Sequence, residues 1–217
     1  MADAAVIFDV DGVLLEMTRA EEDLFFAPFQ LRYDLIGLSR DWNSYRIRND
    51  EDIIAEILEH HGLPAGDRPA IVTHYLDLVA HNLAAVEIPG ARALLSALAG
   101  ANLGIATANL REAARLRLAH LGLWQPVSTL AFGADGGGHK RDILARAIVQ
   151  TGLPNERIAF VGDNINDVDA GLSNGVHFIG FSANPARLPQ LARAGATHLS
   201  NSHETTLKII RDLLGSL

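Results

Sequence analysis

The chain of 217 residues is 48% hydrophobic and 20% charged, which suits one domain of moderate size, or a domain carrying a smaller insertion, and excludes wholesale disorder. Its 18 Lys+Arg against 26 Asp+Glu give a formal charge of −8, a poor basis for binding nucleic acid or an anionic membrane. Cysteine is absent, so disulfides, thiolate metal sites and cysteine catalysis are excluded, and no apolar stretch reaches the ~20 residues that span a bilayer. The opening Met1-Ala2-Asp3-Ala4-Ala5 lacks the basic start of a secretory signal, so a cytoplasmic location is expected.

The first apolar run, residues 4–8, stops abruptly at Asp9. No convincing strand follows until Glu87. Instead three helices are predicted: 19–33 with Leu24, Phe25 and Phe29 inward, 50–60 capped by Asn49 with Ile53, Ile54, Ile57 and Leu58 on one face, and 69–85. Pro89-Gly90 opens a helix carrying Leu94, Leu95 and Leu98, and the run 103–106 ends before Thr107. A helix over 111–121 stops at Gly122, the run 127–132 follows, and a helix over 141–151 stops at Gly152. Runs at 157–161 and 176–181, with 197–200 as a candidate sixth, complete the series. Short apolar runs bounded by turn residues read as strands buried on both faces. Their alternation with helices predicts an α/β fold, a doubly wound parallel sheet built from residues 1–15 and 89–217, interrupted by a helical insert at 16–88.

Four strand ends carry the chemistry. Asp9-Val10-Asp11-Gly12 sets two carboxylates on one side of the chain after a buried strand, a costly arrangement unless a cation or donors offset it, although a solvated Asp-Gly turn is the plainer account. Gly162-Asp163 with Asp167 opens a later helix, where an acid complements the helix dipole; that explains Asp167 but not Asp163. A calcium loop is excluded because the spacing and the closing Glu are missing. Thr107-Ala108-Asn109 offers a hydroxyl and backbone N–H groups as a phosphate cradle, or an ordinary helix cap. Lys140, one of two lysines, follows Gly136-Gly137-Gly138-His139 without the ending of a Walker loop. In an open parallel sheet these ends meet in one crevice at the switch point. The inventory suits a hard divalent cation and a phosphate.

The pattern resembles the haloacid dehalogenase superfamily, in its phosphatase branch with a helical cap (phosphoglycolate phosphatase-like), over essentially the whole chain. Asp9-Val10-Asp11-Gly12-Val13 resembles its first motif, Thr107 the second, Lys140 the third, and Gly162-Asp163 through Asp167 the fourth. Arg141 stands where many members have proline, which leaves Arg141 as the alternative third-motif cation. The resemblance implies a Mg²⁺-dependent phosphatase of a small phosphorylated metabolite, monomer or homodimer, with Asp9 as nucleophile and Asp11 as acid and base. It further implies that Thr107, Lys140, Gly12, Ala108 and Asn109 surround the phosphoryl group. Metal ligands would be Asp9, the Asp11 carbonyl and Asp163, with Asp167 orienting Lys140 or a metal-bound water. Residues 16–88 become the cap, hinged near 15–16 and 88–89. Arg48 is its candidate clamp for an anionic substrate group, the plainer account leaving Arg46 and Arg48 on the surface. A phosphomutase, or a catalytically silent binding protein, is the alternative.

Overall fold

The structure, a computed structural model, describes residues 3–215. In chain order the elements are β1 (Ala5–Phe8), β2 (Leu15–Glu16), α1 (Arg19–Tyr33), α2 (Asp50–His60), α3 (Arg68–His81), β3 (Val86–Glu87), α4 (Ala91–Ala97), β4 (Asn102–Ala106), α5 (Arg111–His120), α6 (Trp124–Val127), β5 (Leu130–Phe132), α7 (Lys140–Thr151), β6 (Ile158–Gly162), α8 (Ile165–Ser173), β7 (His177–Phe181), α9 (Leu188–Arg193), β8 (His198–Ser200) and α10 (His203–Leu214).

Six strands form one sheet in the order β5-β4-β1-β6-β7-β8, and every pairing within it is parallel. Side chains alternate across it, as a strand's two-residue period requires. Val6 and Phe8 join Leu103, Ile105, Val161 and Phe181 under α4, α5 and α10, through Leu94, Leu95, Leu118, Ile210 and Leu214. Ala5 and Ile7 face the other way, onto Phe160 and Phe178 under α7 and α8. With both faces covered, the central strands β1 and β6 are apolar and fully buried along their length, and acidic residues follow at their C-terminal ends. The central strand β1 lies between β4 and β6, so Asp9, Thr107 and Asp163 leave adjacent strands at the same edge.

The helices α1, α2 and α3 share a third apolar cluster, centred on Phe25, Phe26, Phe29, Ile53, Ile57 and Tyr75 and extended by Leu110 and Ala113 at the start of α5. Phe26 takes a buried place and Leu24 only a half-buried one, a rotation of the expected inward set. Among the described residues no helix is long and apolar enough to cross a membrane.

Three expectations are corrected. The segment 16–87 does hold strand: β2 and β3 pair antiparallel, Leu15 with Glu87 and Glu16 with Val86. The third helix ends at His81, where Asn82 turns its amide onto the Leu78 carbonyl, 2.8 Å away. The run 127–132 is divided: Val127 closes α6, and only Leu130–Phe132 pairs with β4.

Candidate active site

Asp9 follows a fully buried strand and is itself only 8% exposed. Its Oδ1 accepts from the Val10 amide at 2.7 Å and lies 2.7 Å from Lys140 Nζ. Lys140, the first residue of α7, also reaches Asp167 Oδ1 at 2.9 Å. Arg141 turns outward, half exposed, towards Asp142. Lys140 therefore points into this site, and Arg141 does not.

Asp167 serves two purposes at once. Its Oδ2 accepts the amides of Asp163 (3.2 Å) and Asn164 (3.1 Å) at the start of α8, while Oδ1 holds Lys140. One carboxylate thus caps the start of α8 and holds Lys140. Gly162 must lack a side chain, because a Cβ there would collide with that of Asp167. Gly12 has a φ of 75°, a conformation costly for other residues, and a Cβ there would overlap the Asp163 carboxylate. The two acidic loops thus close on each other through glycine contacts.

Carboxylate oxygens of Asp9, Asp163 and Asp167 lie within 4.8 Å of one another. Burial, then Asp167 and Asp163, push the Asp9 carboxyl well above its ordinary range, although Lys140 pulls the other way. Asp163 is raised to about 6, first by burial and then by Asp167, against the pull of Arg187. For Lys140, burial works against the ammonium, but Asp167 and Asp9 outweigh it and hold the group above the ordinary lysine range. One ammonium does not neutralise three carboxylates, and the second cation here is Arg187, whose Nη1 is 3.1 Å from Asp163 Oδ2. The donor set is all oxygen, partly buried and too negative. That composition suits a hard divalent cation such as Mg²⁺.

The carboxylate of Asp11 is not part of this group. Its Oδ2 accepts from Asn109 Nδ2, and its Oδ1 is buried without a partner. Thr107 is fully buried, and its Oγ1 accepts from the Asn109 backbone amide (3.2 Å) and side-chain amide (3.1 Å). A hydroxyl that accepts still has its hydrogen to donate. The expected cradle of helix amides is narrower than the sequence suggested. Leu110 N donates to Asp50 Oδ2 and Arg111 N to Asp135 Oδ2, each at 2.8 Å, so acids from elsewhere already cap α5. Of residues 108–111, Ala108 alone keeps its amide free among the described residues.

All of Asp9, Asp11, Gly12, Arg48, Thr107, Ala108, Asn109, Lys140, Asp163 and Asp167 line one cavity of about 280 Å³. Met17, Glu22 and Arg48 close it from the helical insert. The structure separates the two insert arginines: Arg46 pairs on the surface with Glu56 and Glu59, whereas Arg48 faces the cavity. Three features escaped the sequence. Arg187 follows β7 in a single 3-10 turn, too short to show a period. Asp50 and Asp52, at the start of α2, bind core loops through Leu110 N and Gly138 N. Arg117 is buried on α5, and its spacing from Ala113 and Ala114 was the available signal, since it continues their inward face.

The profile of the haloacid dehalogenase-like hydrolases matches residues 4–175. The chain belongs to that family. The hydrolase is 28% identical over 215 residues to the tyrosine-protein kinase PtkA of Mycobacterium tuberculosis H37Rv, covering 97% of this chain and 72% of the relative; the Mycobacterium bovis PtkA matches equally. Among solved structures, a predicted phosphatase from Clostridium acetobutylicum superposes with a TM-score of 0.73 at 21% identity, covering 98% of the hydrolase and all (100%) of that chain. CbbY from Rhodobacter sphaeroides in complex with phosphate gives 0.73 at 23%, covering 94% and 95%. A putative beta-phosphoglucomutase from Bacteroides vulgatus gives 0.72 at 20%, covering 99% and 90%. These structures share the hydrolase's fold.

Proposed function

We propose that the hydrolase is a Mg²⁺-dependent phosphatase that removes phosphate from a small phosphorylated metabolite by way of a phosphoryl group carried on Asp9. The observation that carries this reading is Lys140 bridging Asp9 and Asp167 inside a cluster of three carboxylates. Asp9, Asp163 and the Asp11 backbone carbonyl would hold the metal, with Asp167 beside them. When bound, Mg²⁺ offsets the repulsion between a carboxylate and a phosphate.

The remaining work falls to side chains. With Oδ1 held by Val10 N and Lys140, Asp9 keeps Oδ2 for attack on phosphorus. Asp11, which lines the cavity, carries the proton to the leaving alcohol, then takes one from the water that releases Asp9. The Thr107 hydroxyl and the Ala108 amide receive the phosphoryl oxygens, and Lys140 balances their charge. Residues 16–88 act as the cap, and Arg48 grips an anionic group at the far end of the substrate.

Hydrolysis of p-nitrophenyl phosphate, with Mg²⁺ or with EDTA, tests the reading. Chelation should abolish turnover, Asp9→Asn should lower kcat by ~10³-fold or more, and no bisphosphorylated activator, the mark of a mutase, should be needed. An Asp9→Asn variant as active as the parent overturns it.

The curated relatives support a second reading, phosphoryl transfer to a protein tyrosine. The two readings leave different covalent products. Incubation with γ-labelled ATP gives a hydroxylamine-labile acyl phosphate for transfer to Asp9, and a hydroxylamine-stable phosphotyrosine for the kinase reading.

A further inference from the structure

A buried guanidinium is expensive unless its donors are met. Arg117 is 1% exposed, and each of its three nitrogens has a partner in a different part of the chain. Nε faces Glu21 of α1 at 3.4 Å, Nη2 faces the Tyr75 hydroxyl of α3 at 3.2 Å, and Nη1 donates to Asn109 Oδ1 at 3.1 Å. Two of the partners belong to the helical insert, and the third touches Asp11.

Guanidinium only donates. It therefore fixes which way the Asn109 amide points: oxygen towards Arg117, nitrogen towards Asp11 Oδ2 and Thr107 Oγ1. That orientation pins the Asp11 carboxyl by one oxygen beside the cavity that Asp11 lines, while Oδ1 is buried without a protein partner. A reversed amide would set its oxygen against the carboxylate, and like partial charges would turn Asp11 away.

We infer that Arg117, held by Glu21 and Tyr75, is a positioning residue that aims the Asp11 carboxyl at the leaving oxygen through Asn109. The inference rests on the phosphatase reading and deepens it. In the step concerned, an Asp9 oxygen bonds to phosphorus, the bond from phosphorus to the ester oxygen breaks, and the proton on Asp11 passes to that oxygen to give the alcohol. Through this chain the acid is well placed only while α1 and α3 sit against α5.

An ion pair kept only for packing would affect all substrates alike, and leaving groups separate the two cases. p-Nitrophenolate departs without a proton, whereas an alkoxide needs one. The measurement is kcat/KM, with Mg²⁺, for p-nitrophenyl phosphate and for n-butyl phosphate; this ratio stops at the first irreversible bond cleavage, so release of Asp9 does not enter. The paired variant Arg117→Met with Glu21→Gln leaves no unpaired charge. It should lose ~10- to 100-fold more on the butyl ester than on the nitrophenyl ester, a part of what general acid catalysis supplies. Tyr75→Phe, which removes one hydroxyl, should shift the ratio in the same direction by a smaller factor, and decides the matter if the paired variant does not fold. Equal losses on both esters overturn the inference while the phosphatase reading stands. A parent enzyme inactive on both esters overturns the reading, and the inference with it.

Discussion

Lys140 and Arg141 are adjacent in sequence and opposite in the structure, one between two carboxylates and the other in solvent. Lys140→Met should lower kcat by ~10²-fold or more, as removal of a charge-stabilising donor does, while Arg141→Ala should stay within ~2-fold of the parent, both read from nitrophenyl phosphate turnover. Gly12→Ala forces a side chain onto Asp163 and into positive φ. It should cost about 1–2 kcal/mol in urea unfolding and weaken Mg²⁺ binding measured by calorimetry. Because the metal-free Asp163 carboxyl titrates at about 6, Mg²⁺ affinity should fall as the pH is lowered through that value, since a protonated carboxyl is a poor ligand. Asp9 and Asp163 were legible because each stands at the end of an apolar run that cannot itself be solvated, and Asp167 because an acid opens the next helix. Arg187 was not, because a single 3-10 turn of three residues is too short to leave a period.

At the level of elements, the start of α2 docks onto the start of α5. Asp50 N donates to the Ala108 carbonyl at 2.9 Å, and the Asp50 carboxylate accepts from Leu110 N. Burial raises Asp50 to about 7, against the pull of Leu110 N and Arg117. The folded protein therefore keeps a proton that the unfolded chain releases near the ordinary 3.8. The stability this proton confers is complete below pH ~4 and is lost as pH rises through about 7. Asp50→Asn should flatten the decline in urea midpoint across that window; an unchanged slope would refute the assignment. Long helices were legible nearly to the residue where a cap marked them, as Asn49 marks α2 and Gly152 ends α7. The ribbon of β2 and β3 was not, because two residues cannot display an alternation. Residues 127–132 misled because Val127 is as apolar as the strand that follows, and its burial comes from a helical turn.

Over the whole molecule, the insert is joined to the sheet by the β2–β3 ribbon and fastened again at its far side. Asp52 Oδ2 accepts from Gly138 N at 2.8 Å, and Asn49 Nδ2 donates to the Gly138 carbonyl at 2.7 Å. Gly138 belongs to the loop that delivers Lys140, so the position of the insert and the position of the cation are linked. Asp52→Ala should speed amide exchange at residues 137–139 by ~10-fold or more, the worth of a hydrogen bond to a charged acceptor, with the sheet amides unaffected. The parallel sheet and its crevice could be foreseen from the alternation of short apolar runs with helices, whereas this second fastening depends on side chains brought together across 86 residues of chain. Its consequence concerns admission. With the fastening made, the open cavity beside Lys140 measures about 280 Å³, at the small end of the range for ligand pockets. A sugar phosphate of a few carbons matches such a space, and release of Gly138 by Asp52 would widen the way in for a larger phosphoester.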